Sequence, residues 1–406
     1  MFIIQNENLL CYDNNEILGY KEVSMKKILR NLDKPLLIIS TILFIFGLIM
    51  IFSASNVTAY MKYSASPYRY FYKQSLFLIL SLAASLFIIK FKTKSYNIIM
   101  TLAVYVVGGL LAFVLLYGTV KNRSIRWISL GFMNLQPAEF AKIIVLLWMA
   151  CYYDLHEKKL NNYPKVLYPL VIAAAIAILI MIEPDLDTTA IYCMIVASTF
   201  FLAPINKDLK NKLIMFFIGV VAIGALTLLT TGKNILTPGQ QERLFSFHDP
   251  CSSEKYYTTG NQVCNGYIAI NNGGLTGVGL GNSTQKYLYL PEAHTDFIFA
   301  IIMEELGLVG AIVIFGLYFM LIGRIIKIAK QSHTTRGFLI CMGVACYIVL
   351  HIFVNLGGMF GIIPTTGVPL PFMSYGGSFC MCLVLALTAV QRVNVENKLY
   401  KERKSS

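Results

Sequence analysis

Charged residues are scarce in this chain, at 14% of 406 residues, whereas an ordinary soluble domain has roughly 25%. Apolar residues make up 56% and stand in long uninterrupted runs. These runs exclude a soluble globule, a disordered chain, a disulfide scaffold and a nucleotide-binding α/β enzyme. No Gly-x-x-x-x-Gly-Lys-Ser/Thr loop occurs in the sequence, so ATP is not expected to drive the reaction.

Ten segments reach or approach the length of about 20 apolar residues that a helix needs to cross the hydrocarbon core. The sequence therefore predicts an all-α polytopic membrane protein with ten transmembrane helices. Because the number of spans is even, both termini should lie on one side. The predicted spans are 36–52, 76–89, 98–117, 140–152, 167–182, 188–202, 213–229, 297–323, 337–356 and 379–390.

The formal net charge of +13 is explained by membrane topology, and we expect no nucleic-acid partner. Most of the 34 lysines and arginines lie in the terminal tails and alternate loops, which places both termini in the cytoplasm. The expected organisation is a cytoplasmic tail over 1–34, a ten-helix membrane domain over 35–392 and a basic cytoplasmic tail over 393–406. One large extracytoplasmic loop, 232–296, joins helices 7 and 8. The protein is thus predicted to be a multi-pass protein of the cytoplasmic membrane.

Polar and turn-forming residues are concentrated in the outer segments 118–136, 232–296 and 357–378, so chemistry is predicted at the outer rim. Ionisable side chains inside the spans are few: Lys142, Glu304, Glu305 and His351. Intramembrane charges are costly and often functional. However, this small number does not favour an ion-coupled transporter, whose site lies near the midplane.

Several polar clusters have two interpretations. The carboxylates of 183–187 could cap the next helix or bind a divalent cation such as Mg²⁺ or Mn²⁺. The glycines of 273–281 could present backbone N–H groups to phosphate, or only adopt unusual dihedral angles. Lys142 could pair with Glu139 three residues earlier or serve a substrate anion.

Two cysteines, Cys251 and Cys264, share the large outer loop. In an oxidising exterior they could close that loop as a disulfide, although sequence does not fix the distance between them.

Five motifs in this order resemble the SEDS family of shape, elongation, division and sporulation proteins. The resemblance covers roughly residues 33–392, nearly the whole chain. The motifs are Arg126-Trp127; Gln136-Pro137 with Glu139 and Lys142; Pro184-Asp185; Tyr289 to Ala300 with Glu304-Glu305-Leu306-Gly307; and Pro369 to Phe372 with Ser374 to Ser378.

The resemblance implies a ten-helix peptidoglycan glycosyltransferase that polymerises lipid II and works with a class B penicillin-binding protein and other divisome proteins. Residues 274–286 are more similar to the division-type FtsW branch than to the elongation-type RodA branch. The chain departs from the family pattern at Ile125, Asp187 and Phe379, where members commonly have a basic residue, Gly and Ser. The change at Asp187 concerns the shape of its turn.

Glycosidic bond formation requires a sugar hydroxyl to lose a proton as it attacks the anomeric carbon, and this calls for a positioned base. Asp296 is the candidate base because it ends the outer loop and begins an apolar helix. The competing interpretation is a structural N-cap, typically worth about 1 kcal/mol. The family resemblance favours catalysis.

The departing lipid diphosphate develops negative charge, which cations or a bound metal should stabilise. Arg126 and Arg243 are favoured because arginine binds phosphate in bidentate fashion. The other predicted substrate-binding residues are Trp127, Lys142, Lys286, Glu292, His294, Ser374 and Tyr375. Of these, Trp127 could instead anchor at the interface, and Glu292 and His294 could orient the base or ligate a cation.

Three other functions share these features. A lipid II flippase would use the same helices and polar cavity but leave its substrate unchanged. A non-catalytic scaffold for a transpeptidase would not need Asp296. An elongation-type polymerase would differ only in the wall that it builds.

Overall fold

The computed structural model describes residues 24–121, 124–129, 131, 134–215, 250–252, 256 and 260–405. Helices dominate these residues, and two 3-10 turns, Thr93–Ser95 and Glu157–Lys159, connect some of them. Residues 207–215 are also helical. The principal helices are α1 Met25–Arg30, α2 Lys34–Tyr63, α3 Arg69–Ile88, α4 Tyr96–Tyr117, α5 Pro137–Leu155, α6 Tyr163–Ile182, α7 Leu186–Leu202, α8 Asn261–Gly273, α9 Ile298–Lys330, α10 Thr335–Met359 and α11 Gly377–Ser405.

Seven of the described helices are long and apolar enough to cross a membrane. Nine of the ten predicted spans coincide with helices α2 to α7 and α9 to α11. The remaining one, 213–229, is helical as far as residue 215 and otherwise lies outside the described residues. The count of ten therefore stays a prediction.

The centre of the bundle is formed by α5, α10 and α11, whose residues are buried on most faces. The outer helices α3, α4 and α6 expose mainly apolar side chains, among them Ile98, Leu102 and Val171. Such an exposed apolar face is what a lipid environment requires.

A small antiparallel sheet departs from the all-α prediction. It joins α4 to α5 through β1 Thr119–Lys121, β2 Ser124–Ser129 and β3 Asn134–Leu135, with Val120 opposite Ile125 and Ile128 opposite Leu135. The first four residues of Ser-Ile-Arg-Trp-Ile-Ser alternate between polar and apolar with the period of a strand, and Ile128 breaks the pattern. From the sequence, this segment is expected only to be polar and turn-rich.

The predicted C-terminal tail is helical, because α11 continues without a break to Ser405. Val395 packs with Ile28 of α1 and Ile89, and Lys27 pairs with Glu402 at 2.9 Å. The last residues of the chain are therefore part of the helical fold, and the boundary expected at 392 does not correspond to a helix end.

One end of the bundle contains both described ends of the chain. Asp33 caps α2 by accepting from the N–H of Leu36 at 2.9 Å, and its carboxylate binds Arg324 near the end of α9 at 2.7 Å. Its backbone also exchanges two hydrogen bonds with Gln391 of α11. Because α9 and α11 run toward this end, their first residues lie at the opposite end of the bundle.

Helix α9 is broken at Gly307, which adopts φ 64° and ψ −166°. The carbonyls of Glu304 and Glu305 accept from Val278 and Gly279 at 2.9 and 3.0 Å. In return, Leu308 and Val309 donate to the carbonyls of Gly274 and Leu275. The loop that follows α8 thus supplies the hydrogen bonds that a continuous helix would make.

This pairing decides the role of the glycine run. Gly277 has φ 78°, and a Cβ there would lie 2.2 Å from the carbonyl oxygen of Glu305. Only glycine permits such a backbone conformation and such a close approach. The N–H groups of Val278 and Gly279 are bonded to α9, so the phosphate-binding interpretation of the run is wrong for them.

Candidate active site

A cavity of about 570 Å³ lies at the end of the bundle opposite the chain's described ends. It is framed by the sheet, the first turns of α5, α7 and α11, and the segment before α9. Six of the predicted site residues line it: Arg126, Trp127, Lys142, Glu292, Asp296 and Tyr375. Residues far apart in the sequence are therefore brought to one place.

Among the described residues, three hydrogen bonds are donated to the backbone carbonyls of residues 294–296. The N–H of Tyr375 donates to the carbonyl oxygen of His294 at 2.9 Å, and the Ser374 hydroxyl donates to the carbonyl oxygen of Thr295 at 2.6 Å. The Asn355 amide donates to the carbonyl of Asp296 at 2.8 Å. These bonds position Asp296 without using its carboxylate.

The Asp296 carboxylate reaches the cavity beside a second acid. An ideal Cβ built on Gly367 would lie 3.6 Å from Asp296 Oδ2 and 3.9 Å from Asp187 Oδ2. The N–H of Gly367 also donates to Asp187 Oδ2 at 3.0 Å. The N-cap residue of α9 is Phe297, so Asp296 precedes the cap position.

Glu292 shapes the turn that leads to Asp296. Its carbonyl accepts from the N–H of Thr295 at 3.1 Å, and its carboxylate accepts from the hydroxyl of the same residue at 3.1 Å. Its φ of 51° is a left-handed conformation, which is uncommon for a residue with a Cβ. Glu292 therefore stabilises the turn that leads to Asp296, which agrees with its predicted role in orienting the base.

Asp185 joins three elements at the cavity wall. It accepts from the N–H of Thr188 at 3.2 Å as the N-cap of α7, and from the Gln136 amide at 3.3 Å. Arg126 pairs with it at 3.3 Å and also donates to the carbonyl of Pro184. The capping interpretation of this carboxylate is thus confirmed.

Lys142 is 2% exposed and lies in the first turns of α5. Its ammonium group is 2.8 Å from Glu139 Oε1 and 3.1 Å from His351 Nε2. The ion pair with Glu139 that the sequence suggests is therefore present, and Lys142 also lines the cavity. Its service to a substrate anion stays a prediction.

Comparisons with known proteins agree with this architecture. The profile of the FtsW/RodA/SpoVE family, described as "Cell cycle protein", matches residues 34–399. The chain belongs to this family, the SEDS family. The resemblance found in the motifs is confirmed.

Two curated relatives of this SEDS protein are named "Probable peptidoglycan glycosyltransferase FtsW". The one from Bacillus subtilis (strain 168) is 36% identical over 394 residues, 93% of this chain and 95% of the relative. The one from Coxiella burnetii is 36% identical over 365 residues, 87% and 93% of the two chains. The protein is accordingly a multi-pass protein of the cytoplasmic membrane, as predicted.

Two solved structures share the fold at 23% identity. One, described as "Structural coordination of polymerization and crosslinking by a peptidoglycan synthase complex", has a TM-score of 0.71 and covers 90% of this chain and 98% of its own. The other, rod shape determining protein RodA of Thermus thermophilus, has a TM-score of 0.63 and covers 89% and 96%. These similarities confirm the SEDS fold.

Lys286 lies apart from the predicted site residues that line the cavity. Its side chain is 2% exposed and lies outside the cavity wall, with its ammonium group 3.1 Å from Glu305 Oε1. It also donates to the carbonyl of Gly281 and, at 3.4 Å, to the Ser53 hydroxyl. In the SEDS protein this lysine pairs with the buried Glu305 carboxylate and is not among the described residues that line the cavity. Its substrate-binding role stays a prediction.

His294 and Ser374 are also placed behind the wall. The His294 ring is 6% exposed and packs against Tyr70 and Tyr375, at centroid distances of 4.4 and 5.8 Å. The Ser374 hydroxyl is used by Thr295 and Leu370. Both residues support the segment before α9, and neither is among the described residues that line the cavity. Their contact with substrate stays a prediction. Arg243 lies outside the described residues.

Lys73 and Gln262 line the cavity, but sequence reasoning did not single them out. Lys73 is a basic residue beside an outer span end, which could have suggested a role. Gln262 lies on α8, a helix inside the segment that we predicted as a loop, and no sequence motif marks it.

The predicted disulfide between Cys251 and Cys264 is present, with Cα atoms 5.2 Å apart. It fastens α8, which carries Gln262 to the cavity. The bond spans 13 residues, and closing a loop of about 15 residues contributes about 3 kcal/mol in the chain-entropy account.

We expect reductant to lower the Tm of the wild-type protein in a thermal unfolding assay and to leave the Tm of Cys251→Ser/Cys264→Ser unchanged. A wild-type Tm that does not respond to reductant would contradict this.

Glu183 follows the last residue of α6, and its side chain is fully buried. Within the part of the chain that the structure describes, neither carboxylate oxygen has a hydrogen-bond partner. Burial raises its pKa to about 8 from an ordinary 4.5, the Asp185 carboxylate adds to the rise, and Arg126 opposes it. Between these values the folded protein holds a proton that the unfolded chain has released. The free energy of unfolding should therefore fall as pH rises through this window.

Glu183→Gln tests this linkage, because the amide does not ionise. We expect the variant to lose most of the decline in Tm that the wild-type protein shows between pH 5 and 8, while the two proteins behave alike below pH 4.5. Parallel Tm curves for the two proteins across the whole range would show that Glu183 does not titrate there. Both curves can be recorded in one buffer series.

Proposed function

We propose that this SEDS protein is a peptidoglycan glycosyltransferase that polymerises lipid II on the outer face of the cytoplasmic membrane, for septal wall synthesis. The observation that carries the proposal is the cavity in which Asp296, held by its backbone, stands near Arg126 and Lys142. A polymerase needs this combination of one base and nearby cations. The names of the curated relatives support the activity and the division role.

The reaction would be a direct inverting displacement. The acceptor sugar's hydroxyl oxygen attacks the anomeric carbon of the donor, forming the new carbon–oxygen bond as the bond to the lipid diphosphate breaks. The proton of the hydroxyl passes to the Asp296 carboxylate, and the electron pair leaves with the diphosphate. Because the leaving group supplies the energy, no nucleotide is required.

The net charge of the cavity wall affects whether the substrate diphosphate binds together with a divalent cation. Among the described residues, five carboxylates and three cationic side chains line it, so the wall alone is net negative. A diphosphate would enter more easily with Mg²⁺ or Mn²⁺, which commonly bind one or two carboxylates together with substrate phosphates. Within the described part of the chain, no three His, Cys, Asp or Glu side chains are grouped to hold a metal by themselves.

The topology belongs to the same proposal. We place ten helices in the membrane with both termini in the cytoplasm and the segment 232–296 outside. The domains remain those of the sequence prediction, a tail over 1–34, a membrane domain over 35–392 and a basic tail over 393–406. A class B penicillin-binding protein is the proposed partner within the divisome, supported by the fold shared with a peptidoglycan synthase complex.

Reconstitution with lipid II in proteoliposomes, with and without the partner transpeptidase and a chelator, tests the proposal. We expect glycan strands that lengthen with time, and loss of this product after chelation with recovery on adding Mg²⁺ or Mn²⁺. Lipid II that crosses the bilayer unchanged would identify a flippase. An absence of both products, with intact partner binding, would identify a scaffold.

A further inference from the structure

His351 is a fully buried side chain that contacts the cavity-lining residue Lys142. It lies on α10, is 0% exposed and makes two polar contacts with described residues. Its Nδ1 is 2.8 Å from the carbonyl oxygen of Tyr347, and its Nε2 is 3.1 Å from Lys142 Nζ. The sequence marked it only as an ionisable residue inside a span.

These two contacts fix the protonation of the ring. A carbonyl oxygen can only accept, so Nδ1 must carry the hydrogen that it donates to Tyr347. A lysine ammonium group has three donors and no acceptor, so Nε2 must accept with its lone pair. His351 is therefore neutral, with a tautomer set by its neighbours.

The same contacts fix the ammonium group of Lys142. One of its hydrogens is directed to Glu139 Oε1 at 2.8 Å and another to His351 Nε2. Within the described residues the third hydrogen has no acceptor, and Lys142 forms part of the cavity wall. A phosphate oxygen in the cavity would complete its bonding.

Glu139 alone would not leave one ammonium hydrogen of Lys142 available to the cavity. Its second oxygen, Oε2, is buried and has no hydrogen-bond partner among the described residues. Without His351, the ammonium group could satisfy that oxygen as well, and the two residues would form a closed neutral pair. His351 accepts one hydrogen of the Lys142 ammonium group, so that this hydrogen is not donated to Glu139 Oε2.

We propose that His351 is a positioning residue that holds Lys142 toward the lipid diphosphate leaving group. This inference rests on the proposed function, because it assumes that a diphosphate departs in the cavity. Charge on the leaving group is largest in the transition state, so the interaction should act on kcat more than on KM.

Two substitutions separate positioning from packing. In His351→Gln the side-chain oxygen can still accept from Lys142, whereas His351→Leu is apolar. A hydrogen bond to a charged group contributes about 1.5–3 kcal/mol, which corresponds to about a 10- to 100-fold change in rate when the bond acts only in the transition state. We expect His351→Leu to lower kcat by that factor with KM for lipid II within about twofold, and His351→Gln to stay within about threefold of wild type.

The assay is lipid II polymerisation by the full-length protein in proteoliposomes, with the Tm measured for each variant. Val349→Ala is the matched control, since Val349 lies on the same helix and is 43% exposed. In a double-mutant cycle, His351→Leu should cause no further loss in a Lys142→Met background, because the two residues act as a unit.

A wild-type kcat in His351→Leu would overturn the inference and leave the proposed function intact. Equal losses in His351→Gln and His351→Leu, with a matching fall in Tm, would also overturn it by assigning His351 a purely structural role. Failure of the wild-type protein itself to form glycan would instead overturn the proposed function.

Discussion

Asp296→Asn is expected to reduce lipid II polymerisation by about 10²- to 10⁴-fold, the usual contribution of a general base. The amide has nearly the same shape as the carboxylate but cannot accept the proton of the attacking hydroxyl. The bonds that hold this segment use the backbone carbonyls of residues 294–296, so the variant should fold normally. The measurement is the initial rate of glycan formation together with the Kd for lipid II.

The matched control is Asp208→Asn, which removes an exposed carboxylate from the segment after α7. We expect its rate to equal that of the wild-type protein. An Asp296→Asn rate within about fivefold of wild type would remove Asp296 as the base, because the smallest expected general-base contribution is about 100-fold. A simultaneous loss of Tm would point to a structural role.

Lys286→Met is expected to have the largest effect on stability, about 3–5 kcal/mol in the free energy of unfolding. The substitution removes the cation that lies 3.1 Å from Glu305 Oε1. Glu305 is 0% exposed and would retain only the Ser53 hydroxyl, at 2.6 and 2.8 Å, from the set of donors described here. An uncompensated carboxylate would then be buried.

The double variant Lys286→Met/Glu305→Gln removes both charges and should recover most of the lost stability. Thermal unfolding and the yield of monodisperse protein measure both effects, while kcat of the folded fraction should change little. A normal Tm combined with a large loss of kcat in Lys286→Met would restore the substrate-binding role that the sequence predicted.

The helices and much of the site could be predicted because they depend on local sequence. A membrane span needs only a sufficient apolar run, and nine predicted spans correspond to described helices. The family motifs correctly grouped Asp296, Arg126, Trp127 and Lys142 around one cavity. Each of these residues belongs to a short motif that can be read from the sequence without knowing what it contacts in the fold.

The remaining features depend on pairing between distant segments. The break at Gly307 exists because residues 274–279 replace the helix hydrogen bonds, and an apolar run gives no sign of that. Lys286 was indistinguishable by sequence from a substrate cation until its contact with Glu305 was known. His351 likewise gained a role only through its contact with Lys142, 209 residues away.

The most direct test of the catalytic assignment is a structure of Asp296→Asn with donor and acceptor lipid II bound. The assignment predicts the acceptor hydroxyl within hydrogen-bond distance, about 2.6–3.2 Å, of the residue 296 side chain. It also predicts that the donor diphosphate lies beside Arg126 and Lys142. An acceptor hydroxyl held by another side chain, with residue 296 facing away from both sugars, would contradict it.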